Sequence, residues 1–292
     1  MTNETDPIGL YDPLLSAVSP KGDHPHFRGG YKVWPSGAGV SAADVRLMCI
    51  GNSTSLWPGA DWSLRVAKAM TSDTRSVAVF NGAGKGNTSS QEVLRILRDA
   101  PAIKPDVIVS LSGICDIGYL LNAKNYPFRH KYTRRAMDFL RENDVVEDVV
   151  FGVPDEASPA QIWCRNQRLG RVMAEDMGIR MVTCLQPILG FGDYSPSPEE
   201  AHVFSKKAPV ILKSANKTYH ECVVEFYTEV LKIMAEDPRR YDHVVDLTNA
   251  FSDTSNSYRD HRHQTDIGVE CLANKIRPHI EHVLTAREKE TL

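Results

Sequence analysis

From residue 45 onward, short apolar runs alternate with longer stretches in which apolar residues recur every three or four positions. Leu47-Met48-Cys49-Ile50 is the first such run, the pattern of a strand buried on both faces. It stops at Gly51-Asn52-Ser53-Thr54-Ser55, small polar residues that cannot continue a buried strand. Trp62, Val66, Ala69 and Met70 then keep helical spacing. The same alternation predicts strands over 76–81, 106–112, 179–185 and 243–247. Between them it predicts a helix with Val93, Leu94 and Leu97 inward, and another over about 133–143. Ser158-Pro159 opens a long helix by N-cap and first-turn proline, with Ile162, Leu169, Val172, Met173 and Met177 as its buried face. A further helix carries Tyr219, Val223, Phe226, Val230 and Ile233, and the last carries Leu272, Ile276 and Ile280. Strands regularly separated by helices predict an α/β fold, a three-layer α/β/α sandwich on a five-stranded parallel sheet. The expected strand order is the flavodoxin-like 2-1-3-4-5.

Outside this alternation the pattern is weaker. Residues 1–44 are rich in Pro, Gly and His and are expected to wrap the surface as a strap or leader. Residues 45–284 form the α/β domain, and 285–292 are expected to fray as a tail. The stretch 186–216 shows no clear periodicity, and a connection of that length suggests a substrate-covering loop, whose apolar residues such as Phe191 and Tyr194 are expected to contact substrate or other subunits.

Composition narrows the partners. The 292 residues carry a net charge of −3 with no basic stripe, which gives no reason to expect nucleic acid. No apolar run reaches the length of a membrane span, and the N-terminus lacks the basic and apolar regions of a secretory signal. Six cysteines are scattered without a CxxC pair, as expected of reduced thiols in a cytoplasmic protein. His24 and His26 have no third metal ligand near them in sequence.

Three strand ends carry small hydrogen-bonding loops that open on the same edge of such a sheet: Ser53, Gly82 to Ser89, and Gly113 to Asp116. A fourth loop, Asp260-His261-Arg262-His263, precedes the last helix. Serine chemistry needs a base for the hydroxyl proton, a carboxylate to orient that base, and donors for an oxyanion. An Asp three residues before a His places both on one turn, Ser53 can supply the nucleophile, and Gly86 can offer an unobstructed N–H. The GxSxG elbow of α/β-hydrolases is absent. Two other chemistries compete for these loops. His261 and His263 with Asp260 suggest a metal, although no further ligands stand at metal spacing; His261 is expected to be a solvated loop residue. Gly82 to Gly86 suggests a dinucleotide loop, although it is GxGxG rather than GxGxxG.

In order and spacing these loops resemble the four blocks of the SGNH (GDSL-type) hydrolase superfamily, over roughly residues 45 to 280. Block one reads Ile50-Gly51-Asn52-Ser53, with Asn52 where the family has Asp, and block two contains Gly86. Block three reads Gly113-Ile114-Cys115-Asp116, so the family's oxyanion asparagine is Cys115, and the last block is Asp260 to His263. The resemblance implies the SGNH fold and a serine esterase with Ser53, Asp260 and His263 as triad, and Ser53, Gly86 and Cys115 around the oxyanion. It implies no metal and no cofactor. The segments LQPILGFGDYSPSPEE and VVDLTNAFSD resemble the branch found in bacterial polysaccharide settings, which implies an acylated, in particular O-acetylated, carbohydrate as substrate. Acyl transfer on the same fold and a retired carbohydrate-binding protein are the alternatives. A thiol is a weak donor where an amide is expected, so Cys115 decides between a full and an impaired oxyanion site.

Overall fold

The computed structural model describes residues 10–12, 16–18, 27–28, 30–36, 39–121, 139, 142–143, 156–212 and 215–291. Leu10–Asp12 (β1) and Ser16–Val18 (β2) form a small antiparallel pair. Phe27–Arg28 (β3), Tyr31–Trp34 (β4) and the short helix Gly39–Ala42 (α1) lead to Val45–Gly51 (β5). The chain then runs Trp62–Met70 (α2), Val77–Asn81 (β6), Ser89–Ile103 (α3) and Val107–Ser112 (β7). Pro159–Asp176 (α4), Arg180–Leu185 (β8) and Pro198–Lys207 (α5) follow. Ile211–Leu212 (β9) pairs with Lys217–Thr218 (β10), and the chain ends with Tyr219–Glu236 (α6), Val244–Asp246 (β11) and Asp266–Thr291 (α7).

The central sheet has seven strands in the order β11-β8-β7-β5-β6-β4-β3. Its five parallel strands are the five expected from the apolar runs, and in chain order they stand 2-1-3-4-5. Two strands were not expected. Within the stretch assigned to a surface strap, Tyr31–Trp34 pairs antiparallel with β6, and β3 extends that edge. A four-residue strand with Gly30 before it and Pro35 after it is too short to show a period of two.

Helix starts follow a repeated local rule. Thr88/Gln91, Ser158/Gln161, Ser197/Glu200 and Thr218/Glu221 each form a capping box, in which both side chains satisfy N–H groups that the first turn leaves over. The third box starts α5, which together with β9 falls inside the stretch expected to be aperiodic. The final helix runs through Thr291, past the point where a frayed tail was expected to begin. The helix expected over 133–143 lies almost wholly outside the described residues.

The two faces of the sheet are covered differently. On one, Leu47, Cys49, Val79, Val109 and Cys184 pack with Trp62, Val66 and Met70 of α2 and Leu272, Ile276 and Ile280 of α7. On the other lie α3 and α4, and here two expected faces are corrected. Leu97 is 61% exposed, while Glu92, Arg95 and Ile96 are buried. Leu169 and Val172 are also exposed, while Trp163, Asn166 and Gln167 are buried. Both helices turn a partly polar stripe inward because the sheet offers hydroxyls there. Ser110 Oγ donates to Glu92 Oε2 (2.7 Å), Thr183 Oγ1 to Gln167 Oε1 (3.1 Å), and Trp163 Nε1 to Ser112 Oγ (3.0 Å).

Candidate active site

β5 ends in a tight approach to its neighbour. Gly51 has φ +143°, and a Cβ there would lie 2.4 Å from Leu111 O, so only glycine fits. The next residue, Asn52, is fully buried and caps a short 3-10 turn over Ser53–Ser55. Its Oδ1 accepts from Thr54 N and Thr54 Oγ1, both at 2.9 Å, and its Nδ2 donates to Gln186 Oε1 at 2.6 Å. Asn52 therefore holds the turn as an aspartate would and also ties it to the end of β8. The Ser53 N–H, first in that turn, has no intrahelical partner. From the other side Asn81, at the end of β6, donates to Ser55 O (2.7 Å) and accepts from Ala83 N (2.9 Å).

The far end of the chain meets this turn. Ser53 Oγ lies 2.8 Å from His263 Nε2, across 210 positions. His263 Nδ1 lies 2.7 Å from Asp260 Oδ2, while Asp260 Oδ1 accepts from the backbone N–H of Arg262 and of His263, each at 2.9 Å. Burial alone would raise the Asp260 pKa. The hydrogen bonds from the His263 ring and the two N–H groups outweigh it and hold the carboxyl well below its ordinary range. An ionised carboxylate only accepts, so Nδ1 carries the ring proton and Nε2 is left to accept from Ser53.

The segment before this loop is braced by 186–216. Buried Glu200 accepts from Tyr258 N (2.7 Å), Ser197 N (2.7 Å) and Tyr194 OH (2.7 Å), and Tyr194 OH accepts from Ser257 N (3.0 Å). Tyr194 packs edge-on against Phe251 and Tyr258, and the Phe191 ring lies tilted by 30° against Tyr227. Phe191 and Tyr194 both pack against other rings of the protein while remaining partly exposed.

The second and third loops lie beside the serine turn. Gly84 N donates to Gly51 O (3.1 Å), and Gly86 follows two residues later with φ +73°. Cys115 is buried in a 3-10 turn that begins at Ile114, in a cluster with Tyr219 and Tyr227. Asp116 beside it accepts from Ser89 N at 3.1 Å, which ties this loop to the start of α3. Burial raises the Asp116 pKa well above the usual range, and neighbouring Glu92 adds to the rise against the Ser89 hydrogen bonds.

The competing chemistries fit less well. Both ring nitrogens of His263 are engaged, and among the described residues no group of three or more His, Cys, Asp and Glu could hold a metal. His261 is not solvated as expected. Its ring packs edge-on against Tyr219 at 5.3 Å, and burial, with Arg262 next in effect, lowers its pKa to about 4. Gly82 faces the Tyr31 and Arg95 side chains and Gly84 faces Asn87, so protein atoms fill the space a pyrophosphate would need.

No protein-family model matches the chain, and no curated protein matches it. Among solved structures, acetylxylan esterase Axe2 from Geobacillus stearothermophilus is similar at 16% identity and a TM-score of 0.48, covering 82% of this chain and 94% of that one. A GDSL-like lipase from Bacteroides thetaiotaomicron is similar at 14% identity and a TM-score of 0.47, covering 81% and 88%. At these identities the likeness extends no further than the fold.

Sequence reasoning missed the supports: Asn81, Gln186 and Glu200. Two of them, Asn81 and Gln186, are polar residues at or just past the carboxyl end of a buried strand, a position that could have marked them.

Proposed function

We propose that this chain is an SGNH-type serine hydrolase that cleaves carboxylic esters through an acyl-enzyme. The observation that carries the reading is the continuous hydrogen-bond chain from Ser53 Oγ through His263 to Asp260, at 2.8 and 2.7 Å. Ser53 attacks the ester carbonyl while His263 Nε2 takes its proton. Asp260 keeps the ring in the required tautomer and stabilises the imidazolium that forms. His263 then gives the proton to the leaving alcohol, and water repeats the sequence to free the acid. The N–H groups of Ser53 and Gly86 serve the oxyanion, with Cys115 in the place of the third donor. Losing one such donor typically costs about 100- to 1000-fold in turnover, so modest rates are expected. The substrate class is an acyl, in particular O-acetyl, ester of a carbohydrate; that part rests on the resemblance of the segments beginning at Leu185 and Val244. A cytoplasmic setting is proposed from six cysteines that form no disulfide. Among the described residues no helix is long and apolar enough to cross a membrane.

A fluorophosphonate probe followed by peptide mass spectrometry tests the reading. Labelling at Ser53, lost together with 4-nitrophenyl acetate hydrolysis in Ser53→Ala, is the expected result. Full hydrolysis by Ser53→Ala would overturn it.

A further inference from the structure

Most charged side chains that approach one another on this protein are matched. Arg65 pairs with Asp61, Asp266 and Glu270, Arg171 with Glu175 and Asp242, and Lys217 with Glu225. Beside the His263 loop the matching stops. Lys207, the last residue of α5, sets its ammonium 4.9 Å from the centroid of the Tyr219 ring and forms no ion pair among the described residues. The same ring meets His261 edge-on. Next in the chain, Arg262 makes no side-chain hydrogen bond or ion pair among the described residues, and its buried Nε has no partner among them.

The charges sense one another. Burial lowers the Lys207 pKa and Arg262 lowers it further. His261, held neutral at ordinary pH by burial and by Arg262, contributes no charge. Asp260 is the acid at hand, and its two oxygens already serve the His263 ring and two N–H groups. Among the described residues two half-buried positive charges thus remain without an anion, in a chain with 37 acidic residues against 34 basic ones.

We propose that Lys207, set over the Tyr219 ring, and Arg262, next in the chain to the His261 that meets the same ring, form a subsite for an oxyanion substituent, a carboxylate or a sulfate or phosphate, carried by the same molecule whose ester lies at Ser53. The inference deepens the hydrolase reading and rests on it. Arg262 offers a planar fork suited to two parallel hydrogen bonds with such a group, and Lys207 adds a compact charge. Arg262 directly precedes His263, so its side chain leaves the backbone one residue from the imidazole that meets Ser53. A neutral sugar ester leaves both cations unanswered, whereas a uronate or sugar sulfate ester supplies the missing partner.

The test compares kcat/KM for three esters: an O-acetylated methyl glucuronoside, the matching acetylated methyl glucoside, and its sulfated counterpart. In low salt the better anionic ester is expected to exceed the neutral one by about tenfold or more, mainly through KM. The better of the two anionic esters tells carboxylate from sulfate. Lys207→Ala and Arg262→Gln should each bring that ratio close to one, and Lys207→Arg should keep it. Arg259→Gln, which removes a charge from the same loop outside the cluster, is the control. An equal loss there would place the effect in the general field and overturn the subsite. So would a wild-type ratio of one or less, or a ratio unchanged in both cluster variants. The hydrolase reading is judged separately by 4-nitrophenyl acetate. If no ester is cleaved, calorimetric titration with methyl glucuronoside, methyl glucoside and glucose 6-sulfate decides the subsite alone. Anion-selective binding lost in Lys207→Ala supports it, and no anion-selective binding overturns it.

Discussion

On the α2/α7 face of the sheet, Trp62, Val66, Leu272 and Ile276 meet Leu47, Val79 and Val109 in an apolar cluster. On the α3/α4 face a polar seam of Glu92, Gln167, Ser110, Ser112 and Thr183 divides two apolar clusters, one around Ile96 and Met181 and one around Trp163 and Phe226. The first face needs only shape and hydrophobicity, and many side chains of similar volume would serve it. The second depends on each donor finding its acceptor, since an unmatched group there keeps its full desolvation cost. The seam also reaches the candidate site. Asn166 Nδ2 donates to Ser89 Oγ (2.9 Å), and Ser89 N donates to Asp116, one residue from Cys115. One face stabilises the sheet in bulk, and the other positions a loop.

The sharpest contrast comes from Leu272→Ala. Leu272 is fully buried, and its truncation should cost about 2–5 kcal/mol in urea denaturation, by the same amount at every pH between about 5 and 8. A loss confined to one pH range would mean that the apolar face is not independent of titration.

Glu92 supplies the opposite case. Burial raises its pKa to about 7, against hydrogen bonds from Ser110, Gln167 and Ser112 that lower it. The folded state then binds more protons than the unfolded one between about pH 4.5 and 7, so stability falls as pH rises through that window. The total is roughly 3 kcal/mol at most. Glu92→Gln keeps the shape without the titration, so the wild type minus variant difference should slope downward across the window; a flat difference would erase the contrast between the faces. The part that Asp116 owes to its own burial remains in both proteins and cancels, whereas the rise that Glu92 adds to it is lost in the variant and steepens the same downward slope.

Gln167→Leu should cost about 1–3 kcal/mol, because Thr183 and Glu92 lose their partners although the volume is nearly kept. A neutral outcome would show the seam to be as tolerant as the apolar face. Leu97→Ser is the smallest effect. The side chain is 61% exposed, so its melting curve should reflect a change within about 0.5 kcal/mol. A loss of several kcal/mol would restore the inward orientation that the periodicity of α3 suggested.

The same contrast explains what could be read from the amino-acid pattern. The five parallel strands and their order were legible because each is an apolar run broken by small residues, as at Ile50-Gly51-Asn52. Helices α2, α6 and α7 were legible because their buried stripes are apolar. In α3 and α4 the stripe includes Glu92, Arg95, Asn166 and Gln167, which a hydrophobicity rule sends to solvent. β4 was missed because four residues carry too little pattern. At the candidate site, Ser53, Asp260 and His263 were named from local motifs, and the structure brings the three side chains together. Gly86 and Cys115 were named as well; their loops neighbour the serine turn. The supports were not legible. Asn52 finds Gln186 at a separation of 134 positions, and Tyr258 finds Glu200 at 58, and neither pairing leaves a trace in local sequence.

The hydrogen bond between Ser53 and His263 has a consequence for the protein's birth. A ribosome releases the serine turn and the first strands long before it decodes His263. Until that codon is read and the last loop emerges, the serine has no base within the chain. On the hydrolase reading proposed above, the nascent polypeptide therefore passes through most of its synthesis as a chemically silent object. A message broken anywhere upstream of that histidine yields a product in which Ser53 lacks its imidazole partner, whatever part of it manages to fold.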